Sequence, residues 1–359
     1  MHEDGGRHGR GQYTLADTEH GTVWGTCTAV DGLFEEPWHE TYELVDWEPQ
    51  GAEVRGWISR RVWLVPEDEA LGPWLLEDVE SLGRHSGSLV LTGSDDYEGP
   101  PESYDGLVRA HDEQRWLGSC RAVVRVLPPE RTVPRLVLRE LTPSNELRAV
   151  LAKGTRRALN LEEVALKIRD RQGAPLTERL LWASVGGWRR SRDGRDVIDL
   201  ELEGTLFAPV PDHARPVWER WLAGAPGTEG AWADLDTRRR GVWLALVRER
   251  SGRRARADRP AGHAYVLDGR HATDEPGLYL ALGEAVNGPG GYFGGGLDAL
   301  DDCLRGRFGY TAPATLLWRD AATAREHLSD RLTPEGRPFD LFAEVLDVLA
   351  RGGMNVTLA

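Results

Sequence analysis

The spacing of apolar residues changes along this chain, and that change constrains the fold more than any other sequence feature. Up to about residue 250, short apolar bursts alternate with acidic, Gly and Pro turns, as in Tyr42–Trp47, Val62–Val65 and Ser88–Thr92. Alternation of this kind, rich in β-branched and aromatic residues, predicts strands. After residue 262, runs with helical spacing alternate with strand-like runs, which is typical of α/β domains.

A basic, polar segment separates the two patterns. Residues 251–261 read SGRRARADRPA, a composition typical of linkers. The predicted order is a disordered tail (1–12), a β-rich module (13–130), an α+β module (131–250), the linker (251–261) and a C-terminal domain (262–359). We expect the C-terminal domain to fold independently, because it holds a complete set of amphipathic helices and strands.

The first part of the chain contains a weak internal echo. Tyr42–Pro49 and Leu136–Pro143 are each followed by three strand-like runs in the same order, although the spacings differ. Two related modules would produce this echo, and so would any two strand-turn-strand meanders. A short helix is also expected at Ser144–Arg157, where apolar residues recur at helical spacing. The N-terminal region is thus predicted to be β-rich α+β, possibly built from two related modules.

Charge and composition narrow the function classes. The chain has 58 Asp and Glu against 44 Lys and Arg, a net charge of −14, which disfavours direct nucleic-acid binding and permits a basic partner. Three scattered cysteines (Cys27, Cys120 and Cys303) do not form a disulfide framework. There is no metal-binding motif, no nucleophile–base pair, no signal peptide and no apolar run of membrane-spanning length. We therefore expect a cytoplasmic protein that is not an enzyme, uses no cofactor or metal and does not enter a membrane.

The C-terminal segment predicts three strands, at Ala264–Leu267, Ala314–Trp318 and Met354–Leu358, with helices between them. Short crossovers between such strands predict a small, mainly parallel three-stranded sheet. One helix is expected at Leu297–Arg305.

That helix is predicted to have two faces. Leucines at positions 297, 300 and 304 share one face and are expected to point into the core. Asp298 and Asp302 are four residues apart on the opposite face, with Asp301 beside them. By itself this pattern is typical of a solvated acidic face, in which Arg305 can pair with Asp301 or Asp302.

The run Tyr292–Gly306 (YFGGGLDALDDCLRG) closely resembles the signature segment of the barstar family, intracellular inhibitors of barnase-type ribonucleases. Leu316–Arg319 and the terminal helix and strand resemble that family too, in the same order, so the resemblance spans residues 262–359. It implies a barstar-like α/β domain. It also implies a function: the helix Leu297–Arg305 would insert carboxylates into the basic active site of a small basic ribonuclease.

The resemblance also implies which residues contact the partner. The aspartate matching Asp302 enters the phosphate pocket, and the one matching Asp298 contacts its basic rim. The implied partner-binding set is Tyr292, Gly294, Asp298, Asp301, Asp302 and Gly306. The sequence departs from the family at three positions, where tryptophan, asparagine and an acidic residue are expected and Asp301, Gly296 and Val348 stand.

Two function classes stay open from the sequence. The first is a ribonuclease inhibitor acting through the C-terminal domain. The alternative is a non-inhibitory scaffolding or interaction protein, in which the N-terminal modules bind another partner.

Overall fold

The computed structural model describes residues 12–35, 39–51, 55–68, 70–95, 99–126, 135–191, 196–252 and 257–359. The predicted tail therefore lies outside the described residues except for Gln12, as do residues 253–256 of the predicted linker.

The described residues form nineteen strands. In chain order these are β1 (Tyr13–Asp17), β2 (Val23–Cys27), β3 (Ala29–Asp31), β4 (Glu40–Val45), β5 (Glu48–Pro49), β6 (Gly56–Pro66), β7 (Trp74–His85), β8 (Ser88–Ser94), β9 (Ser103–His111), β10 (Trp116–Val126), β11 (Leu136–Pro143), β12 (Asn160–Arg169), β13 (Pro175–Arg190), β14 (Ile198–Glu203), β15 (Ala264–Asp268), β16 (Ala314–Arg319), β17 (Arg331–Leu332), β18 (Pro338–Phe339) and β19 (Met354–Leu358).

Eight α-helices are present in the same residues. They are α1 (Asn145–Lys153), α2 (Arg156–Leu159), α3 (Arg215–Ala223), α4 (Thr237–Ser251), α5 (Glu275–Asn287), α6 (Leu297–Leu304), α7 (Ala321–Leu328) and α8 (Leu341–Arg351). Among the described helices, none has the length and apolarity needed to cross a membrane.

The first compact unit is built on a closed antiparallel barrel. Its strands follow the order β14-β13-β12-β1-β2-β11, and β11 pairs with β14 to complete the ring. Alternate residues of each strand point inward, so Leu15, Leu138, Val164 and Leu200 are fully buried in its core. Strand β3 adds to the outside of the ring by pairing with β11.

The second compact unit contains another closed barrel, with the order β4-β8-β7-β6-β9-β10 and a β4–β10 pairing that completes it. Its core includes Tyr42, Leu64, Leu76 and Val108, all fully buried. Because each ring is closed, every strand of the ring has two neighbours, and no edge strand is left unpaired.

The two barrels share one topology, as two related modules would. When β11, β12, β13, β14, β1 and β2 are matched to β4, β6, β7, β8, β9 and β10 in that order, every pairing in one ring has its counterpart in the other. The first barrel differs only in that its last hairpin, β1–β2, comes from the start of the chain.

Matching details extend to single residues. Gly25 pairs with Pro143, and Gly118 pairs with Pro49. A Cβ atom on Gly25 would lie 2.7 Å from the Thr142 carbonyl oxygen, and one on Gly118 would lie 2.4 Å from that of Glu48. Both positions therefore require glycine, because the neighbouring backbone approaches too closely for a side chain.

The chain passes between the two compact units at residue 130, but also between residues 37 and 38, inside the predicted module 13–130. Strands β1–β3 pair with β11–β14, more than one hundred residues away, while β4–β10 form their own ring. Local sequence patterns predict strands but carry no information about which distant strand completes a barrel, and this is why 13–130 was expected to form one module.

The C-terminal segment forms a three-stranded parallel sheet in the order β15-β16-β19, with helices α5 to α8 in the connections. This confirms the predicted small parallel sheet. Its core includes Leu267, Leu282, Trp318 and Leu349, which are all fully buried.

A network of ion pairs holds this segment in the same compact unit as the second barrel. Glu113, which follows β9, lies 3.0 Å from Arg61 of β6 and 3.0 Å from Arg331 of β17. Glu275 of α5 lies 2.8 Å from Arg61. Each of these charges has an opposite charge within reach, which buried ionic groups require.

The first turns of α4 belong to this unit as well. The Arg240 guanidinium lies 2.9 Å from the Asp274 carboxylate, and both side chains are more than nine-tenths buried. Asp274 also caps α5 by accepting a hydrogen bond of 2.7 Å from the Gly277 N–H. Residues on both sides of the predicted linker are therefore joined, a long-range connection that the linker composition does not indicate.

Candidate functional site

Helix α6 begins after Gly296 and ends at Leu304, with Arg305 as its C-cap, so the predicted range Leu297–Arg305 is accurate to one residue. The loop before it lies directly against the helix. Gly294 has φ +97°, and a Cβ atom there would lie 3.0 Å from the Leu300 Cα. The predicted contact residue Gly294 is thus buried, and glycine is required there by backbone conformation and by close packing.

The inner face of α6 consists of Leu300, Cys303 and Leu304, which are buried. Leu297 was predicted to share this face but is only half-buried, because the first turn of the helix extends beyond the packed core. Burial raises the pKa of the Cys303 thiol to about 12. The thiol is therefore protonated at neutral pH, and its role is packing rather than nucleophilic chemistry.

The outer face of α6 carries the predicted carboxylates. Asp298 and Asp302 are exposed, and Asp301 is half-buried beside them. Arg305 forms an ion pair with Asp301 one turn earlier, and its Nη1 lies 3.5 Å from Asp302 Oδ1. A partner approaching this face therefore meets a row of carboxylates together with one guanidinium.

Tyr292, which is predicted to contact the partner, is largely buried. Its side chain is only 9% exposed, and its ring lies near that of Phe308, with the ring centroids 6.3 Å apart. Its carbonyl oxygen accepts a hydrogen bond of 2.8 Å from the Asn287 amide. Tyr292 therefore shapes the loop before α6 and presents little of its ring to a partner.

The segment that contains this loop, helix and sheet is similar to a known protein family. Residues 262–351 match the family Barstar (barnase inhibitor). No curated protein matches the chain. The Barstar match takes in α5 to α8 and the sheet strands β15 and β16, so α6 and its flanking loops lie inside it.

The last helix of the Barstar-matching segment has exposed acidic residues of its own. Val348, which stands where the family has an acidic contact, is buried, and the exposed acidic residues of α8 are Glu344 and Asp347. Asp347 forms an ion pair of 3.1 Å with Arg351. Any acidic contact from α8 must therefore come from a neighbouring position rather than from position 348.

The loop after α6 is fixed by a residue that sequence reasoning missed. The Asp258 carboxylate accepts hydrogen bonds from the Arg307 N–H at 2.8 Å and from the Gly309 N–H at 2.9 Å. Gly306, a predicted contact residue, is half-buried at this turn. Asp258 lies in the predicted linker, where a single acidic residue among arginines gives no signal of a structural role.

Among the described residues, no group of three or more His, Cys, Asp or Glu side chains is arranged to hold a metal ion. The candidate site is the outer face of α6, with its three aspartates.

Proposed function

We propose that this protein inhibits a barnase-type ribonuclease by inserting the carboxylates of α6 into its basic active site. The observation that carries the proposal is the outer face of α6, where Asp298 and Asp302 are exposed one turn apart within the Barstar-matching segment. Their helix is anchored from behind by buried Leu300 and Leu304. Carboxylates on a packed helix lose little freedom on binding, which favours affinity.

The chemistry of the target supports this mechanism. A ribonuclease active site uses Arg, Lys and His side chains to hold phosphate oxygens and the charge that develops on them. A carboxylate offers those donors a similar pair of oxygens but contains no bond that the enzyme cleaves. The complex therefore blocks the cleft, and the protein acts by binding and not as an enzyme.

Charge distribution supports a basic partner. Residues 262–359 carry 14 acidic residues against 8 arginines, so opposite charge would steer a small basic ribonuclease toward this segment. The same charge argues against direct nucleic-acid binding. Cys27, Cys120 and Cys303 are free and buried, which supports a reducing compartment such as the cytoplasm.

A second candidate function is supported by the α6 face itself. Arg305 already pairs with its aspartates, and Tyr292 is buried, so this segment has less free binding surface than the family signature implies. If this reduced surface does not bind a ribonuclease, the protein is a non-inhibitory interaction protein whose barrels bind another partner.

The proposal is tested by assaying the full-length parent and its Asp302→Ala variant for inhibition of barnase. Removing this exposed carboxylate opens no cavity, so the melting temperature should not change. Inhibition should weaken by roughly 2–5 kcal/mol of binding free energy, since the target's cations would stay desolvated without a counter-charge.

Asp330→Ala is the matched control, because it removes an exposed aspartate of the same segment away from α6 and should inhibit like the parent. If Asp302→Ala inhibits as well as the parent, the proposed site is wrong. If the parent itself does not inhibit barnase, the non-inhibitory function is favoured.

A further inference from the structure

The outer face of α6 contains a cation that spans two of its acids. One nitrogen of the Arg305 guanidinium contacts the Asp301 carboxylate, and another lies 3.5 Å from that of Asp302. The side chains of Arg305 and Asp302 are 72% and 69% exposed. This small cluster is therefore formed at the surface, where a partner would dock.

The pairing has a direct consequence for recognition. A ribonuclease cleft would offer Asp302 the same kind of donor that Arg305 offers already, because both are cationic N–H groups. A partner cation that reaches the Asp302 carboxylate therefore comes close to the Arg305 guanidinium. Two like charges at close range oppose each other.

A second basic residue strengthens this effect. Arg307 lies exposed two residues further along, and its backbone N–H is held by the Asp258 carboxylate. This hydrogen bond holds the backbone of the turn from which the Arg307 side chain extends. A purely basic cleft fits only part of this face.

We propose that Arg305 is a specificity-determining residue of α6, an inference that rests on the proposed function. It selects against ribonucleases that present only cations and favours one that also places a carboxylate opposite Arg305. The carboxylate of such a partner offsets the charge of the guanidinium when cations of the same partner approach Asp302. Selectivity of this kind depends on a repulsive element as well as an attractive one.

The experiment measures barnase binding to the full-length parent, to Arg305→Ala and to Arg270→Ala. Arg270 is the matched control because it forms an exposed pair with Asp268 at the end of β15, so both changes remove one exposed arginine and its ion pair. We expect Arg305→Ala to bind barnase roughly three- to tenfold more tightly, the size given by losing exposed ion pairs and one like charge. Arg270→Ala should stay within about twofold of the parent.

Each outcome decides the inference. The inference is supported if Arg305→Ala binds barnase more tightly than the parent and Arg270→Ala does not. It is also supported if Arg305→Ala binds barnase and the parent does not. Equal gains from both variants would show a net-charge effect and overturn it. No gain from Arg305→Ala, with Asp302→Ala weakening the parent, overturns the inference and leaves the proposed function standing. If neither the parent nor Arg305→Ala binds, the proposed function falls and the inference falls with it.

Discussion

At the scale of single residues, His111 connects the second barrel to the C-terminal segment and makes stability depend on pH. It is fully buried, and its Nδ1 accepts a hydrogen bond of 3.2 Å from the Glu113 N–H. Its Nε2 lies 3.1 Å from the Pro334 carbonyl oxygen, to which the neutral ring donates. Burial lowers the pKa of His111.

We expect the free energy of unfolding to fall as the pH drops from 7 to 5. Below a pKa of about 6.5 the unfolded chain binds a proton at this residue while the folded chain resists it, which gives a slope of up to about 1.4 kcal/mol per pH unit. Urea unfolding at both pH values should show a smaller slope for His111→Gln than for the parent. Exposed His85→Gln is the control, and equal slopes for the parent and His111→Gln would contradict the prediction.

The residues of α6 show what sequence reasoning achieves at this scale. Helical spacing predicted the exposed Asp298 and Asp302 and the buried Leu300 and Leu304 correctly. It failed for Leu297, because spacing does not show where a packed core ends. The resemblance implies that Tyr292 contacts the partner, but a motif carries no information about the burial of this ring, which depends on the surrounding loops.

At the scale of elements, the closure of the first barrel depends on the contact between β2 and β11. Gly25 leaves room for the Thr142 carbonyl oxygen, which would lie 2.7 Å from an added Cβ atom. We expect Gly25→Ala to destabilise this barrel by about 1–3 kcal/mol through overpacking.

Hydrogen exchange of the strand amides measures the effect of Gly25→Ala on each barrel separately. Protection should fall in β1, β2 and β11, while the strands of the second barrel serve as the internal reference. Gly187→Ala is the control in the same barrel, because its nearest neighbour, Glu201 Oε2, would be 3.7 Å from the added Cβ. Unchanged protection in Gly25→Ala would show that the strands separate at no cost.

The sequence predicted the positions of strands well, but it did not predict which strands pair with each other. The echo between Tyr42–Pro49 and Leu136–Pro143 corresponds to β4–β5 and β11, which occupy matching places in the two rings. The internal sequence similarity does not include the hairpins that complete the rings, β9–β10 and β1–β2. One follows its barrel in sequence and the other precedes it, so a search for elements in the same order cannot align them.

At the scale of the whole molecule, residues 262–359 have a core of their own and also belong to a larger compact unit. Their sheet and helices enclose buried residues such as Leu267 and Leu349. Three of their charged residues pair outside this segment: Glu275 with Arg61, Arg331 with Glu113, and Asp274 with Arg240. These ion pairs join the segment to the second barrel and to the first turns of α4.

We therefore expect the fragment 262–359 to fold cooperatively but to be less stable than the same segment in the full chain. Separation hydrates the charged groups but removes the ion pairs that join this segment to Arg61, Glu113 and Arg240. A loss of about 1 kcal/mol would lower the melting temperature of a domain this size by roughly 4–8 °C. Circular dichroism melts of the fragment, compared with hydrogen exchange of β16 in the full chain, measure the difference. A fragment without a cooperative transition would show that the barrel is needed for folding, and one as stable as the full chain would show that the ion pairs contribute nothing to it.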